Sequence, residues 1–278
     1  MKLENVVDIY PLSPMQAGML FHSLYAPESG VYFNQVSVQF VGEIDLVRFQ
    51  QAWQRVVERH TILRTGFVWD DVEKPLQIVY RQAPFPWDMQ DWRHWDAATQ
   101  ATQAAELLQA ERRRGFDLHH PPLRWTWLRL SEQRYQFIWH WHHLLFDGWS
   151  LPILFEEVFS LYTQPAKRLP TTYPYRDYIA WLQQQDIQKA EAFWRTQLAG
   201  FHTPTPLVVD QRQRAIENEN TPTPKATHRL QLPVLLTRQL NDFARHYRLT
   251  LNTLMQGAWA LLLGRYSGAE EVLFGVTV

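Results

Sequence analysis

The segment WHWHHLLFDGWS, residues 139–150, decides the fold and carries the groups of greatest chemical interest. Upstream of it, aromatic side chains alternate with other residues from Tyr135 to His143, which predicts a strand with one aromatic face ending on His143. Downstream, Ser150 is predicted to cap a helix, because apolar residues then recur at helical spacing: Leu151, Leu154, Val158 and Leu161. The turn between strand and helix therefore presents an imidazole, a carboxylate and a glycine on rigid supports.

The composition is typical of a globular protein with a large core. The chain has 278 residues, of which 46% are hydrophobic, and it includes 13 Trp and 15 Phe. A formal net charge of -1 excludes the basic footprint of a nucleic-acid-binding protein. The lack of cysteine excludes disulfides, thiol catalysis and Cys-ligated metal. No signal peptide or membrane-spanning run is visible, so the sequence predicts a cytoplasmic protein that does not associate with membranes.

Strand and helix patterns along the whole chain predict a mixed α/β fold. Ser13, Pro14 and Gln16 are typical of a capping box that opens a helix, and Asp45 is predicted to cap a second one. Further helices are predicted at 97–114, at 175–198 in one or two pieces, at 234–247 and at 253–263, the last one buried. Strands are predicted at 36–40, 63–68, 76–80, 123–128, 228–232 and 272–278, with an exposed loop at 202–226.

Two of these strands have consequences beyond their own residues. The strand at 123–128 is predicted to pair with the aromatic strand. The apolar strand at 272–278 would lack a covered edge if the protein stopped there, so we expect the sequence to be a fragment of a longer protein.

Four ionisable residues lie close together around the turn: His140, His142, His143 and Asp147. A zinc site is one interpretation, but two imidazoles and a carboxylate lack a further ligand motif. The alternative, histidines satisfied inside an aromatic core, suits His140 and His142. His143 differs because it ends the strand, where its ring can face a cleft. Gly148 would let a substrate approach the backbone closely.

The role of Asp147 has two interpretations at the level of sequence. The carboxylate can orient a catalytic imidazole. It can equally hold the turn by pairing with an arginine, for which Arg59, Arg64 and Arg265 are the candidates. No glycine-rich phosphate loop, catalytic pair of carboxylates or nucleophile elbow is present in the sequence.

The segment HHLLFDGWS, residues 142–150, resembles the signature of the condensation domains of nonribosomal peptide synthetases. These domains belong to an acyltransferase superfamily with a chloramphenicol-acetyltransferase-like fold. Further segments resemble other motifs of the family, in the family's order: SPMQAGMLFH at 13–22, RHTILRTGF at 59–67, YRDYIAW at 175–181, FW at 193–194, GRYSG at 264–268 and VLFG at 272–275. The resemblance covers essentially all of the chain.

The resemblance implies an α/β (α+β) fold in two lobes. A two-layer sandwich lobe would span residues 1–165, and an incomplete second lobe of the same kind would span 166–278, with a tunnel between them. The implied reaction joins a donor aminoacyl or peptidyl thioester to an acceptor aminoacyl amine. Both would arrive on phosphopantetheine arms of upstream and downstream peptidyl carrier proteins, beside an adenylation domain. The chain itself would bind no cofactor and no metal.

The same resemblance implies roles for individual residues. His143 would be catalytic, as a base for the amine or as a donor that positions it, with Asp147 and Gly148 in the same turn. His142 and the three arginines would support the site. The Asp-Gly pair and the opening motif are most similar to the subtype that joins two L-configured units.

Three other functions are compatible with the sequence. Two are enzymes, a free-standing acyltransferase of the same superfamily and an epimerisation domain. The third is a truncated, inactive lobe that only docks carrier proteins.

Overall fold

The computed structural model describes residues 3–83, 87–203, 205–206 and 229–276. The chain divides into two compact units, Met1–Gln185 and Asp186–Val278. This division falls after the predicted boundary at 165/166, because a helix at Tyr175–Gln183 packs on the first strand of the chain and so belongs to the first unit.

The first unit contains two sheets. The smaller sheet is antiparallel, with the strand order β1 (Val6–Pro11), β4 (Leu76–Tyr80) and β3 (Thr65–Val68). The larger sheet has the order β2 (Phe33–Val41), β7 (Arg134–His142), β6 (Leu123–Ser131) and β5 (Trp87–Asp91). Within it, β5 runs parallel to β6 and the other pairs are antiparallel. The predicted pairing of the aromatic strand β7 with β6 is confirmed.

Strand β3 begins later than the predicted strand at 63–68, because residues Thr61–Arg64 form a turn of 3₁₀ helix instead. Its second residue, Gly66, lies against the backbone of a neighbouring loop. A Cβ atom at this position would stand 2.3 Å from the carbonyl oxygen of His119, a distance that no side chain tolerates. The glycine of this segment is therefore required by packing.

Eight helices lie among the described residues: α1 (Pro14–Tyr25), α2 (Leu46–Arg59), α3 (Ala97–Arg114), α4 (Ser150–Thr163), α5 (Tyr175–Gln183), α6 (Ile187–Gln197), α7 (Val234–His246) and α8 (Leu251–Ser267). The capping box at Ser13 and Gln16 is confirmed, and so is the Asp45 cap of α2. The prediction that Ser150 caps α4 is wrong. Ser150 is the first helical residue, and its backbone N–H donates to Oδ1 of Asp147.

The larger sheet is buried on both faces. Trp139 and the other aromatic side chains of β7 join one hydrophobic cluster with residues of α2 and α4, including Trp53 and Val158. On the opposite face, Ile138 packs in a second cluster with Ala104 of α3. Because successive strand residues point to opposite faces, His140 and His142 share the face of Ile138.

The second unit contains α6, α7 and α8. The helix predicted at 175–198 in one or two pieces forms two, α5 and α6. The predicted burial of the helix at 253–263 is wrong, because Leu263 is its only buried residue. The described residues 229–232 and 272–276 form no strand, since every described strand lies between Val6 and His142 and none pairs with them. His228, Thr277, Val278 and most of the predicted loop at 202–226 lie outside the described residues.

Among the described residues, no helix combines the length and the apolar character needed to span a bilayer.

We predict that Trp53→Ala lowers the free energy of unfolding by about 3–5 kcal/mol, the usual cost of truncating a buried aromatic side chain. The indole is fully buried and meets the Trp139 ring edge-on, with 4.7 Å between ring centroids. Denaturant titration followed by circular dichroism measures the change. Trp149→Ala is the matched control, because that indole is 78% exposed. Equal shifts for the two variants would contradict this account of the core.

Candidate functional site

His143 lies just beyond the end of β7, which stops at His142. Its backbone N–H donates to the carbonyl oxygen of Tyr32 at 2.9 Å, and its half-buried ring lies parallel to the Tyr32 ring, with 6.4 Å between centroids. Tyr32 has a φ of 63°, a left-handed conformation that is uncommon for residues other than glycine. The ring is thus supported by a residue with an unusual backbone conformation.

The Nδ1 atom of His143 lies 3.4 Å from the amide nitrogen of Asn34. The same amide nitrogen donates to the carbonyl oxygen of Tyr32 at 3.1 Å. Asn34 belongs to β2, opposite Trp141 of β7, so a neighbouring strand of the same sheet positions it. No local sequence pattern points to Asn34, since its position beside His143 depends on which strand pairs with β7.

His142 is buried, and both of its ring nitrogens have partners. Nδ1 accepts a hydrogen bond from the backbone N–H of Leu144 at 3.1 Å, so the proton of the neutral ring is on Nε2. Nε2 lies 3.0 Å from the hydroxyl of Ser23, which donates onward to the carbonyl oxygen of Met19. Burial, with a smaller effect from His143, lowers the pKa of His142 to about 4. These contacts support a structural role for His142.

His140 is fully buried on the same face. Its Nδ1 atom lies 3.3 Å from the amide nitrogen of Gln35, and its ring packs on Phe33. Burial lowers its pKa to about 4, partly offset by the charge of Glu111. Nε2 has no hydrogen-bond partner among the described residues. The prediction of a hydrogen-bonded core histidine therefore holds for Nδ1 of His140 but not for Nε2. Within the same part of the chain, no group of three potential ligands is arranged to hold a metal ion.

The opening motif supports the turn after β7 through a pair of buried glutamines. The side-chain nitrogen of Gln16 donates to the carbonyl oxygen of Leu144 at 3.0 Å. The amides of Gln16 and Gln77 also bond reciprocally, at 3.3 and 3.2 Å, and Gln77 donates to the carbonyl oxygen of Pro11. The capping-box pattern identified the helical role of Gln16, but this second contact crosses the fold and has no local signal.

Asp147 is exposed, and it is held by the helix that follows it. Its Oδ1 accepts hydrogen bonds from the backbone N–H and the hydroxyl of Ser150, at 3.1 and 3.0 Å. Its charge also acts on Tyr175 of α5, whose pKa is raised mainly by burial and further by this carboxylate. The carboxylate therefore shapes the start of α4.

The predicted pairing of Asp147 with Arg59 or Arg64 is wrong. Arg59 forms an ion pair with Glu157 at 3.1 Å, and Arg64 donates to backbone carbonyl groups around the end of α2, including that of Val57. Both guanidinium groups instead join α2 to neighbouring segments. Arg265 belongs to α8 in the second unit, and its pairing with Asp147 stays a prediction.

Gly148 is open to its surroundings. A Cβ atom placed there would meet no other atom within 4 Å, and its φ is not in the left-handed region. The fold of the described residues therefore does not require glycine here. Its proposed use, the close approach of a substrate, stays a prediction.

A cleft of about 440 Å³ opens beside His142 in the first unit. Ser23 and the basic end of α3, residues 112–114, line it as well. His143 does not border this cleft among the described residues.

The paired-histidine turn therefore stands at the end of a mixed sheet and is braced by the opening helix. Residues 6–278 match the family model described as "Condensation domain". The chain belongs to this family, and the predicted family and fold class are confirmed.

The relatives that the chain matches are large synthetases, and it spans only a small part of their length. It is 44% identical to a linear gramicidin synthase protein of Brevibacillus parabrevis, over 98% of this chain and 4% of that protein. Solved structures show the same fold. The EpoB NRPS cyclization-docking bidomain from Sorangium cellulosum matches 93% of this chain and 52% of its own, with 22% identity and a TM-score of 0.72. Holo-AB3403, a four-domain nonribosomal peptide synthetase bound to AMP and glycine, matches 95% and 20%, with 18% identity and a TM-score of 0.73.

We predict that Gln16→Leu destabilises the first unit, because the side-chain oxygen of Gln77 and the Leu144 carbonyl both lose the hydrogen bond that Gln16 donates. Each unpaired buried group costs about 1–3 kcal/mol. Gln16 is 2% exposed, whereas Gln51 of α2 is exposed and provides the control Gln51→Leu. Chemical denaturation measures both changes. The role assigned to the glutamine pair would be wrong if the two variants unfolded at the same denaturant concentration.

Stability is predicted to fall as the pH decreases from about 6.5 to about 4, because buried His142 has a lowered pKa in the folded state. Over this interval the unfolded chain binds a proton that the folded chain does not, so His142 contributes about 1.4 kcal/mol per pH unit. His140 adds a similar contribution.

Denaturation curves at a series of pH values measure the slope of unfolding free energy against pH. His142→Gln should lower this slope by about 1.4 kcal/mol per pH unit, the contribution of one proton. The control His94→Gln, at an exposed position, should keep the slope of the unsubstituted chain. An unchanged slope in His142→Gln would show that His142 is not neutral when folded.

Proposed function

We propose that the chain forms an amide bond between a donor aminoacyl or peptidyl thioester and an acceptor aminoacyl amine, in the subtype that joins two L-configured units. The observation that carries this proposal is the placement of His143. Its half-buried ring follows the end of β7 and is held by Tyr32 and Asn34, and Gly148 further along the same turn is open to its surroundings. The family match supports the same chemistry.

In the proposed reaction, the amine nitrogen attacks the thioester carbonyl carbon. A carbon–nitrogen bond forms, the carbon–sulfur bond breaks, and the proton lost by the nitrogen neutralises the departing thiolate. A free α-amino group has a pKa of about 7.7–8.0, so a useful fraction is already neutral near neutral pH.

Typical magnitudes indicate that positioning of the two substrates contributes more to the rate of amide formation than proton transfer does. Orientation of two bound reactants can reach effective molarities of about 10⁵–10⁸ M. General acid–base assistance contributes about 10²–10⁴-fold. His143 is assigned this smaller share, while Asp147 holds the turn by accepting hydrogen bonds from Ser150 and His142 anchors the turn to α1.

We further propose that both substrates arrive on the phosphopantetheine arms of upstream and downstream peptidyl carrier proteins, beside an adenylation domain. The chain would bind no cofactor of its own. The multidomain nature of the relatives supports these partners, since AB3403 is a four-domain synthetase and the gramicidin synthase is far longer than this chain.

We predict that His143→Ala lowers the rate of amide formation by about 10²–10⁴-fold, the share of a group that aids proton transfer or positions the amine. The measurement is dipeptide formation from two aminoacyl-loaded carrier proteins, analysed by mass spectrometry, with the chain in its synthetase. His94→Ala, at an exposed position, is the matched control. Full activity of His143→Ala would remove His143 from the mechanism.

A further inference from the structure

We propose that Asn34 is a positioning residue that sets the tautomer of His143, so that the neutral ring carries its proton on Nε2. This inference rests on the proposed function where it concerns the reaction. It assigns a role to a strand residue outside the turn. It also separates the two roles considered for His143, base and hydrogen-bond donor.

The orientation of the Asn34 side chain follows from Tyr32. A backbone carbonyl oxygen only accepts hydrogen bonds, so the atom of Asn34 that lies 3.1 Å from it is the NH₂ nitrogen. That nitrogen has two hydrogens. One is used by the Tyr32 carbonyl, and the other is available for Nδ1 of His143 at 3.4 Å. A flipped amide would place two oxygens against each other.

The tautomer of His143 follows from the orientation of the amide. A neutral imidazole has one N–H donor and one bare acceptor nitrogen, and the hydrogen bond of one nitrogen decides which is which. The amide of Asn34 presents a donor to Nδ1, so Nδ1 is the acceptor. The ring proton therefore resides on Nε2.

Three further contacts keep this geometry fixed. Tyr32 accepts the backbone N–H of His143 with the same carbonyl oxygen that accepts from Asn34. Its ring stacks on the imidazole with an angle of 6° between the planes. The register of β2 against β7 places Asn34 opposite Trp141, two residues before His143.

The assigned tautomer has a chemical consequence. With a proton on Nε2 and a donor against Nδ1, the resting ring has no free lone pair with which to take a proton from an amine. His143 then enters the reaction as a hydrogen-bond donor through Nε2–H. The proton lost by the nucleophile passes to the thiolate instead of to the imidazole.

The tautomer is measured directly by ¹H–¹⁵N correlation through two bonds, on the ¹⁵N-histidine-labelled chain at about pH 8, where an ordinary histidine is neutral. His143→Gln identifies the signals of His143 by their loss. We expect a bare Nδ1 and a protonated Nε2. Asn34→Asp should move the proton to Nδ1, because a carboxylate only accepts. A proton on Nδ1 of the unsubstituted chain, or unchanged signals in Asn34→Asp, would overturn the proposal.

The rate assay tests the consequence for catalysis. Asn34→Asp should lower kcat at least tenfold with little change in KM, since the ring no longer donates from Nε2. The kcat of Asn34→Ala, which imposes no tautomer, should lie between those of the unsubstituted chain and Asn34→Asp. The control Asn241→Asp, on an exposed face of α7, should have the kcat of the unsubstituted chain. A higher rate in Asn34→Asp would show that His143 acts as a base. If the proposed function is wrong, no variant forms product while the NMR result still stands.

Discussion

The burial of the aromatic face of β7 against α2 determines where the candidate site lies. Trp53 packs edge-on against Trp139, and both side chains are excluded from solvent. Because side chains alternate along a strand, a shift of one residue in β7 would turn this face away from the core. The packing thus fixes the register of β7, and with it the point at which the strand ends and His143 emerges.

Polar contacts then fix the turn that the packing has placed. Gln16 holds the Leu144 carbonyl from α1, Ser150 holds Asp147 from α4, and Asn34 lies against His143 from β2. Each contact comes from a different element, so the turn is constrained from three directions. Such support from outside the site is what a reactive group needs in order to keep a single geometry.

The sequence predicted the features that depend on local periodicity and local capping. The period-two pattern of β7, the amphipathic α2 and the capping box at Ser13 all need only neighbouring residues. The sequence did not predict contacts between distant elements. An arginine side chain can reach many partners, and Arg59 pairs with Glu157 instead of Asp147. The apolar segment at 272–276 lacked a partner strand among the described residues.

The reciprocal bonding of Gln16 and Gln77 has an evolutionary consequence. Each amide satisfies the other, so replacing either one alone strands a polar group in a dry interior. Replacing both residues by apolar ones removes the mutual cost but still deprives the Leu144 and Pro11 carbonyls of their donors, and every single-step route passes through a weakened intermediate. Descendants of this chain are therefore expected to inherit the two glutamines as a unit, or to lose both in quick succession.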